Sequence, residues 1–307
     1  LSTNLGYACI NMGLSERPAK LRVTTNRTMI RKTFDERGIN YAAQLAYQNV
    51  CDLYTILLWN EANGIKFYRM SSDMFPWASE YGIYNLPNIE QIAAMLRKCG
   101  DYATSVGQRL SFHPGPFNKL TSSNPSVTAN TIKDLSIHAD ILDLMGLSHT
   151  HYNKINIHVG ATYKDKPMAV AQFLNNWDLV PDNVKCRFTL ENDDKPSLYT
   201  VEELYNLIYK HTNIPIVYDE HHHSLNNGGM SSADALAIAV TTWGNVKPVV
   251  HYSQSRSVEQ NIKCPAQAHS DSYWSTMDTH GHDVDIMLEA KFKEIALFKY
   301  RELLASN

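Results

Sequence analysis

Eight short β-rich runs punctuate the chain, each trailing into polar or ionisable residues. They are GYACINM (6–12), KFYRMSS (66–72), RLSFHPG (109–115), INIHVG (155–160), CRFTLEND (186–193), IPIVYDE (214–220), KPVVHYSQ (247–254) and DVDIMLEAK (283–291). Between them lie segments such as NYAAQLAYQNVCDLYTILLWNEANG, IEQIAAMLRKCGDYATSVG and TIKDLSIHADILDLMGL, whose apolar residues recur at three and four, the helical period. In TVEELYNLIYK, Thr200 with Glu203 supplies a capping-box start for a further helix. Strand and helix alternating eight times predict a single α/β domain over residues 1–307, a (β/α)8 TIM barrel with its active-site groove at the C-terminal ends of the strands.

Length alone would permit two domains, but α/β barrels commonly fill 307 residues with one, and no linker rich in Gly, Pro or Ser divides the chain. With 44% hydrophobic and 19% charged residues the chain can bury a large core. The net charge of -3 announces no global basic field, although bound cations or a local basic loop could still supply positive potential. The five cysteines are odd in number, widely spaced and without a CxxC pair, which fits reduced thiols rather than a disulfide framework or a cysteine zinc site. No run has the length of a membrane span, and the N-terminal stretch lacks the pattern of a secretory signal, so a soluble cytoplasmic protein is expected.

The rhythm is uneven in one place. About 60 residues separate the first two runs, and positions 14–37 of that insertion hold seven Lys or Arg against three acids. Composition leaves two readings open, a solvated loop or an arm that contacts phosphates.

In a barrel of this kind the chemistry sits where the strands end. The third run ends with His113, the fourth with His158 and the fifth with Glu191. The sixth gives Asp219 followed by His221, His222 and His223, the seventh His251 and the eighth Glu289, while His269 lies in the loop after the seventh. A lone histidine at a strand end is more often a hydrogen-bonded structural residue than a ligand. Six consecutive strands ending this way would gather many ionisable groups around one mouth, a costly burial that divalent cations resolve. These oxygen and imidazole donors suit Zn, Mn or Fe, and they outnumber what one ion takes, so two or three ions are expected. His138, His149, His151 and His211 read as structural or solvated. Phe75, Trp77 and Tyr81 are packing residues by default, but at a barrel mouth they could stack on a base.

GYACIN, TTNRT, RLSFHPG, INIHVG, TLENDD, YDEHHHSLN, VVHYSQ and MLEAKFKE, in this order from about Leu5 to about Glu294, closely resemble the UV damage endonucleases, a branch of the endonuclease IV-like metal-dependent barrels. The resemblance implies a DNA repair endonuclease that hydrolyses the phosphodiester immediately 5′ to a UV photoproduct or another distorting lesion. It implies three divalent ions, commonly Mn2+, with Zn2+ or Mg2+ as alternatives. His113, His158 and Glu191 would hold one; Glu191 would bridge to a second held by Asp219, His251 and Glu289; His222 and His269 would hold the third. Strand alternation alone would aim His221 to the side of Asp219, whereas the family pattern of Asp, two residues, then His selects His222 and leaves His223 either supporting the ligands from behind or on the phosphate side. Tyr7 and Asn11 would lie at the mouth near the lesion, and Arg27 and Trp77 would grip a damaged duplex. The expected partner is damaged double-stranded DNA, bound by a monomer needing no obligate protein partner and no membrane.

Two departures from the family pattern stand out. Pro116 and Phe117 stand where Gln and Tyr usually probe the duplex, so Phe117 can wedge or stack while the hydrogen-bonding amide is gone. Val249 stands where a lysine often precedes the seventh-strand histidine, with Lys247 two residues further back. Two other functions compete. A sugar isomerase or epimerase barrel would have two metals in a small closed pocket, and a lesion-binding protein without catalysis would bind irradiated duplex without cutting it.

Overall fold

The computed structural model describes residues 3–306; Leu1, Ser2 and Asn307 of the expected 1–307 domain lie outside the described residues. Each of the eight β-rich runs overlaps a strand: β1 (Leu5–Ala8), β2 (Phe67–Arg69), β3 (Arg109–Ser111), β4 (Ile155–His158), β5 (Phe188–Glu191), β6 (Ile216–Asp219), β7 (Val249–Tyr252) and β8 (Asp285–Leu288). All pairings are parallel in the order β3-β2-β1-β8-β7-β6-β5-β4. A bridge between Phe112 and Ile155 joins the two ends of that order and closes the barrel. The strands span only three or four residues because the polar tail of each run leaves the sheet to form the mouth.

Inward side chains stack in layers, as strand alternation requires. A small apolar layer of Ala8, Phe67, Val217, Val249 and Met287, backed by Trp243, fills the waist. Gly6 is needed here, because a Cβ would meet the Phe67 ring at 2.8 Å and the Met287 methyl at 2.9 Å. Below this layer the fully buried Arg109 pairs with Asp285 at 3.1 Å and faces the Tyr152 ring. Outside the barrel the helices Arg31–Ala62, Ile89–Ser105 and Pro125–Leu144 pack their apolar faces into the main core. The capping box at Thr200 and Glu203 forms as its sequence predicts.

The basic insertion is only partly a loop. Its second half is helical from Arg31, continuous with the long helix except for a break at Gly38, and a short 3-10 turn covers Ala19–Leu21. Local pairing explains the change: Arg31 bonds Asp35 one turn on and reaches Glu80, and the Arg37 guanidinium lies 3.4 Å from the centre of the Tyr41 ring. The Arg31 charge is thereby paired within the fold.

Candidate metal centre

Glu191 ends β5 and is 1% exposed, with four imidazoles around its carboxylate. His113 Nε2 and His251 Nδ1 each lie 3.1 Å from Oε2, while His222 Nδ1 and His158 Nε2 lie 3.2 and 3.8 Å from Oε1. The parallel register creates this ring, since it places His158 beside Glu191 and Asp219 beside His251. The Asn156 amide donates to Glu191 Oε2 at 2.6 Å and accepts from the Thr189 hydroxyl at 2.8 Å. That chain fixes the carboxylate plane.

The histidine triplet has a specific local cause. Asp219 caps a six-residue helix, Glu220–Leu225, by accepting from the His222 backbone N–H at 2.8 Å. One helical turn then returns the His222 ring to the height of Asp219, with Nδ1 2.9 Å from the Asn192 carbonyl. An Nδ1–H donated to that carbonyl leaves Nε2 free as a ligand. His113 is held alike, its Nδ1 lying 3.2 Å from the Pro114 carbonyl, and His158 Nδ1 lies 3.0 Å from Asp193.

Two triads, His113–His158–Glu191 and Glu191–Asp219–His251, each bring one donor atom per residue to within 4.8 Å of one another, and Glu191 belongs to both. Glu289 joins through His251 Nδ1, 3.3 Å from its Oε1. Several buried polar atoms here lack a hydrogen bond, among them Asp219 Oδ2, His251 Nδ1, His269 Nδ1 and His221 Nε2. Buried donors left unsatisfied in one place, all of metal-ligating type, fit divalent cations.

Charge is unevenly spread. Burial would raise Glu191, but His251 and His158, with hydrogen bonds from His113 and His222, hold it well below the usual carboxylate range. Burial pushes Asp219 well above that range. Burial opposes the imidazolium of His158, yet Glu191 and Asp193 carry it up to about 9; for His222, Asp219 and Glu191 overcome burial and carry it to about 11. His251 goes the other way, pushed down to about 4 by burial.

The remaining expected residues are dispersed. His269 comes beside His221, ring centres 5.7 Å apart, through a bridge between Ser255 and His269; among the described residues no ring contact joins His269 to His222. His223 turns away, with Nε2 3.1 Å from the Met230 carbonyl. Tyr7 and Asn11, expected at the mouth near the lesion, are both buried: the Tyr7 hydroxyl donates to Asn60 at 2.7 Å and Asn11 caps the turn Met12–Ser15. Arg27 is occupied by Asp52 and the Thr24 carbonyl, each 2.6 Å away, and so braces the arm. Trp77 stacks on Phe34 at 5.7 Å and donates to the Met29 carbonyl. It lines a cavity of about 650 Å³ together with Phe117, while Pro116 lines a neighbouring one of about 520 Å³; His113 borders both.

Sequence reasoning missed Arg69, Lys154, Asn156, Asn192 and Asp193. The available signal was polar residues at inward, period-two positions of apolar strands, as in Lys154, Asn156 and His158. Lys247 does not take the place of the lysine absent at Val249, because it pairs with Asp283 at 2.8 Å and Asp285 at 3.3 Å at the far end of the barrel. Val249 instead completes the apolar layer under His251.

A closed parallel barrel with buried histidines and carboxylates converging at its C-terminal mouth defines a TIM-barrel protein of the metal-binding class. Residues 3–306 match the family described as UV-endonuclease UvdE. The chain is 35% identical to the UV-damage endonuclease of Schizosaccharomyces pombe over 96% of its own length and 49% of that protein, and so spans about half of it. It is 33% identical to the UV DNA damage endonuclease of Bacillus cereus (strain B4264), covering 98% of this chain and 94% of that one. The crystal structure of SacUVDE superimposes with a TM-score of 0.83 at 29% identity, covering 99% of both chains. The chain belongs to the UV-endonuclease UvdE family.

Proposed function

We propose that this chain is a metal-dependent DNA repair endonuclease that cuts damaged double-stranded DNA, hydrolysing the phosphodiester immediately 5′ to UV photoproducts and other distorting lesions. The observation that carries the reading is Glu191, shared by two ligand triads at the mouth of a barrel of this family. The reading takes three divalent ions, Mn2+ in the first instance, of which the two triads offer donors for two. His113, His158 and Glu191 would hold one, Glu191 with Asp219, His251 and Glu289 a second, and His222 with His269 a third. Such ions supply Lewis acidity toward phosphate oxygens and a bound water acidic enough to ionise near neutral pH.

The protein's own groups do the rest. Glu191, His251 and Glu289 set the site's geometry, and Asn156, Asn192 and Asp193 lock the ligand rings and carboxylates from behind. Phe117, 63% exposed in the lining of the cavity that holds Trp77, would press into a weakened base step, and damaged pairs unstack at lower cost. Trp77 and the basic arm would flank the duplex.

A second reading, lesion binding without cleavage, is favoured by Pro116 replacing a hydrogen-bonding amide. Incubating the protein with Mn2+ and an end-labelled duplex holding one defined photoproduct separates the two. The expected product is a metal-dependent nick 5′ of the lesion, leaving a 3′-hydroxyl and a 5′-phosphate. Retention of the duplex without a nick selects the second reading.

A further inference from the structure

Arg69 stands inside the ligand cluster without a part in the assignments above. It ends β2, and its Nη1 donates to Glu289 Oε1, the same oxygen that faces His251 Nδ1 at 3.3 Å. Its Nε is buried without a hydrogen bond. Burial disfavours the guanidinium charge, but Glu289 more than compensates, so the cation is permanent.

Glu289 needs such a partner. It follows the last residue of β8 and is held by one backbone bond, from its N–H to the Tyr252 carbonyl at 2.9 Å, so its flexible side chain is not aimed by the sheet alone. Glu191, by contrast, is the last residue of β5, paired there with His158 of β4, and has Asn156 as a neutral hydrogen-bonding support. Arg69 is the only cation that an ion pair joins to Glu289 among the described residues.

We propose that Arg69 is a positioning residue for metal binding: it pins the Glu289 carboxylate at the height of His251, so that a divalent cation meets both ligands already oriented. This rests on the reading of Glu289 as a ligand. A fixed positive charge also repels an incoming cation, so orientation must outweigh repulsion, as it does at metal sites whose ligands are held by hydrogen bonds from behind. The guanidinium's planar fork can serve the carboxylate from a fixed angle, which a lysine ammonium cannot.

The test is Mn2+ titration of the whole protein, read from the electron paramagnetic resonance signal of free Mn2+, with wild type, Arg69→Met, Arg69→Lys and Glu289→Gln in parallel. Arg69→Met is expected to weaken one class of bound Mn2+ by about 10- to 100-fold, Arg69→Lys by less, and Glu289→Gln to weaken the same class. In nicking assays Arg69→Met should recover kcat at raised Mn2+ with KM for the duplex unchanged. If Glu289→Gln loses the ion while both Arg69 variants bind as wild type or more tightly, the positioning role is wrong and the ligand assignment stands. If Glu289→Gln also binds as wild type, the ligand assignment itself fails. Should Arg69→Met not fold, Arg69→Lys alone decides, since unchanged Mn2+ affinity there removes the proposal.

Discussion

Lys154 Nζ lies 3.3 Å from His251 Nε2, so one fully buried imidazole is caught between an amine on one side and the carboxylates of Glu191 and Glu289 on the other. Burial, with Arg69 nearby, pushes the Lys154 amine down to about 7. A buried cation of this kind burdens the fold and supports the site. Lys154→Met, close in length and apolar, is expected to raise stability by about 1–2 kcal/mol in urea unfolding of the metal-free protein. It should also weaken Mn2+ binding by about 10-fold. A variant that is both less stable and unaltered in Mn2+ affinity would refute this role.

Glu191 is shared by both triads, so its loss should be worse than that of any single histidine. Glu191→Ala is expected to lower nicking by about 10³-fold or more, as removal of several kcal/mol of transition-state stabilisation does. Its circular dichroism should stay native. Full activity in this variant would remove Glu191 as the bridging ligand.

The triplet offers a sharper test, because His222 shares a face with Asp219 through the helix cap whereas His221 lies against His269. His222→Ala is expected to lower the number of tightly bound Mn2+ by one, and His221→Ala to leave it unchanged. Metal analysis after dialysis reads the difference. The reverse pattern would transfer the third ion to His221 and His269.

Phe117 folds its ring over Gly115, where an added Cβ would meet ring carbon Cε1 at 2.7 Å. Gly115→Ala should therefore displace the ring, and both Gly115→Ala and Phe117→Ala should bind Mn2+ normally yet cut damaged duplex about 10-fold more slowly, in line with one base–aromatic stack. Wild-type rates for both would show that the ring does not engage DNA.

Metal binding should expel protons. His158 and His222, raised to about 9 and about 11, are both charged at pH 7 in the metal-free site, and a ligand nitrogen must give up its proton. Apparent Mn2+ affinity is accordingly expected to rise with pH between 7 and 9 and to fall as the solution is acidified. Calorimetry at pH 7 in two buffers of different ionisation enthalpy measures the release. An enthalpy independent of buffer contradicts it.

The barrel was legible because its signal is repeated: eight apolar runs at strand length, each ended by polar residues, leave little freedom of topology. Glu191, His113, His158, Asp219, His222 and His251 were legible for the same reason, since parallel register puts strand ends at one height. What escaped is what register does not decide. Arg69 and Lys154 look like ordinary strand-edge charges until closure of the barrel turns them inward. Tyr7 reads as a mouth residue from its motif, yet a partner 53 positions away, Asn60, draws its hydroxyl into the core. The arm's basic residues resemble a phosphate grip in composition, whereas Arg27 and Arg31 are already committed to Asp52, Asp35 and Glu80.

The Phe112–Ile155 bridge has a mechanical meaning. Seven of the eight joints in the ring of strands are ladders, and the eighth is a single clasp, placed between the strand that leads into His113 and the strand that ends in His158. A joint of one bridge has fewer backbone bonds to lose than its neighbours. His113 and His158, proposed above as ligands of one ion, therefore stand on opposite sides of that single-bridge seam, and a cation held by both would act as a rivet across it.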